Sequence, residues 1–423
     1  MQISLQDKEI QKLIQAEEQR QVSGIELIAS ENYQSSAVLD AQASIFANKY
    51  AEGFPGKRYY GGQENTDQLE QLVIDCAKEI FHADHANVQA LSGAAANLCF
   101  YSAAMEPWDH ILGMGMGFGG HLTHGAPVTF ISKVFNFHNY GTLPDGSIDF
   151  DQVRSLALEF KPKVILAWFS AYSRELDYTK FVEIANEVWA IAYADISHIA
   201  GFIAAWILKN PLDCGFHAMM TTTHKSLRWP RGALILSRGK VWNPLKKPEP
   251  TIENLPTRID RAVFPGMQGW PHMNTIAAIG VALQEAQTPA FLSYAKQALE
   301  NAQIMAQEFL KHGYKLITWG TENHMIILDF SQEEFDGGEI EEILDRVGIS
   351  VSKSLIPNDP RPAFHPSGVR IGTPAMTTRG VKSKDMIQIV DFIDQAIKKR
   401  DNPDSLAEIK AQVRDFALKF PLP

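Results

Sequence analysis

The chain has 423 residues, 45% of them hydrophobic and 21% charged, enough for one large and one small globular domain and outside the disordered class. Its 39 basic and 49 acidic residues give a net charge of −10. That charge is spread along the chain, which argues against a nucleic-acid surface yet allows a local basic pocket for a phosphate. Cys76, Cys99 and Cys214 are far apart, odd in number and in no CxxC pair, so neither a disulfide framework nor a cysteine zinc site is expected. The first twelve residues have no apolar h-region, and no run of 18 apolar residues occurs. The expected setting is the reducing cytoplasm.

From Ser4 to about Arg20, Ile10, Leu13, Ile14 and Ala16 share one side of a helical pattern, predicting an amphipathic arm that packs on another part of the protein. The stretch Asn48 to Gly62 holds three tyrosines, glycines and charges with neither helical nor strand periodicity. An irregular stretch of that length in a compact protein is usually functional, and its tyrosines speak against disorder. Leu91-Ser92-Gly93-Ala94-Ala95-Ala96-Asn97 leads from an apolar stretch into a helix. Small residues there allow backbone amides to approach a phosphate at a helix N-terminus, although a plain tight turn explains the segment equally well.

Gly113 to Gly125 contains a formal GxGxxG at Gly115, Gly117 and Gly120. Neither a helix pattern nor a suitably placed acidic residue follows, so the dinucleotide fingerprint fails its context. His121 and His124 have no third ligand of matching spacing. A flexible backbone that lays an imidazole on a flat aromatic ligand accounts for the run better.

Apolar runs then alternate with helical patterns: Val164 to Phe169, a helix around Lys180 to Val188, Trp189 to Ala194, Ala218 to Thr223 and Gly232 to Ser237. Such alternation indicates a parallel sheet covered on both faces, with ligands at the carboxyl ends of its strands. Ser170 follows the first run, Asp195 and His198 the second, His224 and Lys225 the third. A carboxylate at a buried strand end needs a cation or strong donors. Asp195 is therefore half of a structural Asp–Arg pair or the partner of a protonated pyridine nitrogen in pyridoxal phosphate, with Lys225 as the Schiff-base amine. A lysine serves that chemistry when desolvation or neighbouring cations keep part of it neutral, and His224, three threonines and Arg231 supply such surroundings.

Beyond Phe264-Pro265-Gly266-Met267-Gln268-Gly269-Trp270-Pro271, Thr288 caps a predicted helix that Gly313 ends. Strands at Met325 to Leu328, Ile349 to Val351 and Val369 to Gly372, with a helix near Gly338 to Val347, make a smaller α+β domain. Arg370 is either a structural ion pair or a bidentate clamp for a substrate carboxylate. The expected boundaries are an arm over 1–22, a large domain over 23–280 and a small one over 281–423.

Over nearly its whole length the chain resembles the serine hydroxymethyltransferase family of fold-type I pyridoxal-phosphate enzymes. The segments that carry the likeness are Glu26 to Tyr33, Tyr50 to Gly62, Gly119 to Gly125, Phe169 to Ser173, Thr221 to Lys225 with Pro230-Arg231-Gly232, and Gly368 to Pro374. The resemblance implies an α/β fold of the aspartate aminotransferase type, with a large, mostly parallel seven-stranded sheet. It implies that Lys225 holds the cofactor, Asp195 meets its ring nitrogen and His121 stacks on the ring. Ser170 and His198 would surround the phenolic oxygen, His224 would line the pocket, and Ser92, Gly93, Ala94, Thr222 and Gly269 would serve the cofactor site. Ser30 and Arg370 would take the amino-acid carboxylate. Tyr50, Glu52 and Tyr60 would come from a neighbouring subunit of a homodimer, with Glu52 the acid/base at the hydroxymethyl group. Leu122, Tyr59 and Ser354 would line a folate site. The implied reaction moves one carbon between serine and tetrahydrofolate, leaving glycine.

Departures from the family pattern are Ala94 for a hydroxyl residue, Trp270 in a glycine run, Arg228-Trp229 for a small pair, and Ser352-Lys353-Ser354 for Asn-Lys-Asn. They leave two alternatives: a folate-independent aldolase or transaldolase acting on β-hydroxy-α-amino acids such as threonine or α-methylserine, and a paralogue that has kept binding and lost catalysis.

Overall fold

The computed structural model describes residues 8–168, 170–240 and 251–423. The start of the predicted arm before Lys8 and the end of the Val164 to Phe169 run lie outside these residues. Two compact units divide the chain. The larger takes residues 34–296 and 355–359, the smaller 1–33, 297–354 and 360–423.

In the larger unit seven strands form one sheet: β1 (His85–Asn87), β2 (His110–Met114), β3 (Asn136–Tyr140), β4 (Val164–Trp168), β5 (Ile191–Asp195), β6 (Ala218–Thr222) and β7 (Ala233–Ser237), in the spatial order β1-β7-β6-β5-β4-β2-β3. Strands β2 to β6 run parallel, while β7 runs antiparallel to both β6 and β1. Every residue of β4, β5, β6 and β7 is buried. Burial without alternation means cover on both faces, and the apolar runs legible in the sequence have that cause. Expectation and structure part at Trp189. Instead of opening a strand it closes the Tyr178–Val188 helix in left-handed conformation, and β5 begins two residues later.

The smaller unit has a four-stranded antiparallel sheet of β8 (Lys315–Leu316), β9 (Met325–Asp329), β10 (Ser352–Ser354) and β11 (Gly368–Gly372), ordered β8-β9-β11-β10. Its core joins Ile326, Leu328, Val369 and Ile371 of the sheet to Ile340, Ile389, Ile393 and Ile409 of the helices.

The chain's start belongs to this smaller unit, and the later division falls inside the Pro289–Lys311 helix at 296/297, whereas the sequence suggested 22/23 and 280/281. Two interactions bind the start there. Ile25 and Glu26 pair in parallel with Ile349 and Ser350. The Arg379 guanidinium donates to the carbonyls of Gln21, Val22, Gly24, Ala417 and Phe420 at 2.7–3.0 Å. One planar cation thus closes the carbonyl end of the Lys8–Ser23 helix and that of the Pro403–Ala417 helix. The first helix buries none of its residues, and Ile10, Leu13 and Ile14 stay exposed. Among the described residues no helix is long and apolar enough to cross a membrane.

Glu26 is 6% exposed, and its Oε1 accepts the Ile28 N–H at 2.9 Å. Burial, and then the charge of Glu31, push its carboxyl up to about 7. A raised carboxyl disfavours the ionised fold, so this contribution to stability is whole at acid pH and is lost as pH climbs from about 4.5 to about 7. Glu26→Gln is expected to exceed the parent in stability by roughly 1–3 kcal/mol at pH 8 and to match it at pH 4, as read by denaturant midpoints. Equal gains at both pH values would refute the assignment.

Candidate functional site

Parallel pairing aligns the carboxyl ends of β4, β5 and β6, with Trp168 opposite Asp195 and Asp195 opposite Met220. The chain therefore delivers Ser170, Asp195 to His198, and Thr222 to Lys225 to one edge of the sheet. The expectation of strand-end positions holds for all of them. Asp195 is 3% exposed and His198 2%.

Four groups answer the buried carboxylate. Asn97 Nδ2 donates to Asp195 Oδ2 at 3.0 Å, Ser197 Oγ to Oδ1 at 2.6 Å and the Ser197 N–H to Oδ1 at 3.1 Å, while His124 Nε2 stands 3.5 Å from Oδ2. His124 Nδ1 accepts the His121 N–H at 3.3 Å, so the ring proton belongs on Nε2, facing the carboxylate. Burial holds His124 below the usual imidazole range, consistent with a neutral ring. Burial alone would push Asp195 up, but His124, the Lys225 charge and Ser197 keep it below the ordinary carboxylate range. These contacts favour the ionised form of Asp195 beneath the site, and no arginine is among them.

The Gly113–Gly125 run performs the positioning. Gly119 has φ +107° and sits so close to Ala171 that an added methyl would meet the Ala171 carbonyl oxygen at 2.5 Å. Its own carbonyl accepts from Ala171 N–H and from the Trp168 indole at 3.2 and 3.1 Å. His121, next along, has Nδ1 2.8 Å from Thr123 Oγ1, and Leu122 beside it is 48% exposed.

Ser92 caps the Gly93–Ala104 helix through its Oγ and the Ala95 N–H at 3.2 Å. Ser92 and Ala94 are exposed there, leaving first-turn donors open to a ligand. Gly93 admits no side chain, because a methyl would stand 2.6 Å from Thr222 Cγ2. Thr222 Oγ1 and His224 Nδ1 are buried without hydrogen-bond partners among the described residues. Burial, Lys225 and Arg231 pull His224 down to about 3, so its ring is neutral. Lys225 is partly buried, with its ammonium 5.9 Å from the Trp168 ring centroid. Gln268 ties the Gly266–Trp270 loop to this turn by donating to Gln89 O at 2.9 Å and accepting from Leu91 N–H at 3.1 Å.

A second cluster in the larger unit gathers Tyr50, Glu52, Tyr60, Gly269 and Trp270. The Tyr50 hydroxyl lies 3.5 Å from Glu52 Oε1, and its ring centroid is 5.0 Å from Tyr60 and 4.5 Å from Trp270. A methyl on Gly269 would stand 4.0 Å from Glu52 Oε1. Tyr50, Tyr59 and Tyr60 are all exposed. What fixes this segment is Arg58, whose side chain is 3% exposed. It binds Glu70 at 2.5 Å and Asp67 at 2.8 Å and donates to the carbonyls of Ala51 and Gly53. In the smaller unit Arg370 is central in β11, where burial lowers its guanidinium to about 10. Gly372 N–H donates to Leu27 O at 2.8 Å, and an added methyl would meet Ala29 Cα at 2.4 Å. That close approach sets the turn bearing Ser30 beside β11. Ser354 ends β10.

Residues 3–393 match the family model of serine hydroxymethyltransferase. The chain belongs to the serine hydroxymethyltransferase family. It is 45% identical over 418 residues, covering 99% of this chain and 95% of the relative, to the serine hydroxymethyltransferase of Desulfotalea psychrophila (strain LSv54 / DSM 12343). Family membership carries the fold-type I α/β class expected from the sequence, and the seven-stranded sheet is its centre.

Sequence reasoning missed the groups that hold the site rather than those that face it. His124 was weighed only as a metal ligand, and Asn97, Ser197 and Arg58 received no role. A buried carboxylate predicted at a strand end was the available signal, since it demands donors from somewhere. Asn97→Ala removes one of those donors and strips the Tyr193 hydroxyl of its acceptor at 2.8 Å. It is expected to lower unfolding free energy by roughly 2–4 kcal/mol, and a loss under about 0.5 kcal/mol in urea denaturation would contradict this account.

Proposed function

We propose that this protein transfers a hydroxymethyl group between serine and tetrahydrofolate, giving glycine, with pyridoxal phosphate held by the larger unit. The observation that carries the proposal is the Asp195 carboxylate, buried at a strand end among the donors of Asn97, Ser197 and His124 and one strand from Lys225. A site built to hold a buried negative charge suits a cofactor whose ring nitrogen becomes cationic.

The donor set fits that cofactor. The open N-terminus of the Gly93–Ala104 helix and the unpartnered Thr222 hydroxyl suit a phosphate. Ser92, Gly93, Ala94, Thr222 and Gly269 are assigned to it, Ser170 and His198 to the phenolic oxygen, and His121 to the ring face. Pyridoxal phosphate, once bound, supplies an electron sink for the pair released when the serine Cα–Cβ bond breaks.

This chain's residues do the rest. Lys225 would provide the amine that holds the cofactor. Neutral His224 beside it adds no positive charge that would need screening. Asp195, whose proton affinity stays low, would face the cofactor's ring nitrogen and favour its protonated form. Arg370 and Ser30 take the amino-acid carboxylate, the arginine through its planar fork. Glu52 moves the proton at the hydroxymethyl oxygen, with the Tyr50 hydroxyl orienting its carboxylate. Tyr59, Leu122 and Ser354 are assigned to the folate.

A homodimer follows from the same reading. The exposed Tyr50–Glu52–Tyr60 cluster and the uncovered Ile10, Leu13 and Ile14 stripe both call for a second copy. Free thiols at Cys76, Cys99 and Cys214 support a cytoplasmic setting. No observation favours the aldolase or the inactive paralogue.

Purified protein given pyridoxal phosphate is expected to absorb at long wavelength and to lose that band in Lys225→Ala. Serine cleavage should require tetrahydrofolate. A band that survives Lys225→Ala, or serine turnover indifferent to folate, would overturn the proposal. Asp195→Asn should lower kcat on the order of 10²-fold while the far-ultraviolet dichroism stays that of the parent. Parental turnover in that variant would end its assigned role.

A further inference from the structure

Four of the eight tryptophans, Trp108, Trp189, Trp206 and Trp319, have φ of +71°, +60°, +60° and +59°. Among the described residues only nine non-glycine positions have positive φ, so a residue type holding seven of those 405 places supplies four of nine. Bulky side chains in that region are outliers, because Cβ crowds the following carbonyl.

The local motifs identify the residue that belongs there. At the end of the Tyr178–Val188 helix, Ala190 N–H donates to Ala185 O at 2.9 Å and Trp189 N–H to Asn186 O at 3.4 Å. The Ala200–Ala204 helix ends the same way, with Ile207 N–H on Phe202 O and Trp206 N–H on Ile203 O, both at 2.9 Å. This double closure normally uses glycine at the left-handed position. The same chain builds it so elsewhere: Gly313 (φ +87°) with Tyr314 N–H on Phe309 O at 3.0 Å, and Gly380 (φ +97°) with Val381 N–H on Met376 O at 3.1 Å. Trp108 is third in the turn Glu106-Pro107-Trp108-Asp109, closed by Asp109 N–H on Glu106 O at 3.1 Å. Proline second and positive φ third make a type II turn, whose third residue is glycine or asparagine.

The side chains offer little compensation, the edge-on contact of Trp206 with the His82 ring at 4.3 Å between centroids aside. Trp189 is 92% exposed, Trp108 69%, Trp206 68% and Trp319 67%, whereas tryptophan earns its place by burial. Strain of this kind gathers at functional sites when it serves function, but these residues sit at separate helix ends and turns. Trp229 errs in the opposite sense, being fully buried with an indole N–H that has no partner among the described residues.

We propose that Trp108, Trp189, Trp206 and Trp319 are glycine in the protein as its own cell makes it, because the codon behind them is UGA and that cell reads UGA as glycine. UGA differs from the glycine codon GGA in the first base alone, so one anticodon change in a glycine tRNA provides the reading. A single reassigned codon also explains why one residue type occupies positions with nothing else in common. Independent mutations would have scattered different side chains over them. Where the same codon stands at 168 and 229, the ring beside Lys225 and the orphan indole disappear with it.

Sequencing the gene and mass spectrometry of peptides from the native protein test this directly. UGA codons and glycine masses at the four positions are expected; UGG codons, or tryptophan masses, overturn the proposal. A second measurement uses recombinant chain made with tryptophan. Trp189→Gly and Trp206→Gly should each raise the thermal midpoint by about 1–4 °C, the reverse of the fall that glycine causes in ordinary helical positions. A fall in both overturns the proposal. Neither readout involves serine turnover, so the outcome is independent of the function proposed above.

Discussion

The organisation of the larger unit follows from one carboxylate buried at the end of β5. An isolated ion there would cost several kcal/mol, and the fold supplies neutral donors from three directions. Asn97 comes from the helix after β1, His124 from the glycine-rich loop after β2, and Ser197 from the turn that follows the aspartate. These donors tie three strand–helix crossings to one point. The result is a carboxylate held at fixed position chiefly by neutral donors, with no arginine among these contacts.

The same economy of polar groups governs the segments around it. Arg58 is neutralised by Glu70 and Asp67 and uses its remaining donors on Ala51 and Gly53 carbonyls. Gln89 adds a donor to Glu70 at 2.6 Å. An irregular tyrosine-rich segment is thereby pinned from beneath, and its exposed tyrosines and Glu52 project from a rigid base. In the smaller unit Arg379 does comparable work with carbonyls alone. Its five contacts draw the chain's first helix and last helix to one guanidinium, and the start of the sequence joins the unit that contains its end.

Much of this was legible because the β4, β5 and β6 runs are buried on both faces and so read as unbroken apolar stretches. Lys225, Asp195 and His198 announced themselves as polar residues at the ends of such runs. What stayed hidden depends on distance in the chain. The sequence offers no local pattern that links Asn97 to Asp195, 98 residues away, or Arg379 to Val22. The direction of β7 was hidden as well, since an apolar run has the same appearance whether its neighbour is parallel or antiparallel. Trp189 misled for a different reason. An aromatic residue adjoining Ala190-Ile191-Ala192 reads as strand, but its backbone closes a helix.

Two of the departures from the family pattern differ in kind from the left-handed tryptophans. Ala94 lies in the first turn of a helix, where main-chain N–H groups are the donors, so a missing side-chain hydroxyl leaves those donors in place. Ser354 ends an ordinary strand, whose pairing with Gly368 is indifferent to the exchange of one small polar side chain for another. The tryptophans differ because their cost is borne by backbone and packing. A left-handed Cβ clash cannot be relieved by water or by a neighbouring rotamer, and a buried indole N–H without an acceptor cannot be hydrated. Substitutions that tune a binding site alter side chains at tolerated positions. Those at Trp108, Trp189, Trp206 and Trp319 fall where almost any side chain is penalised, and they therefore report on how the chain is encoded rather than on what its site selects.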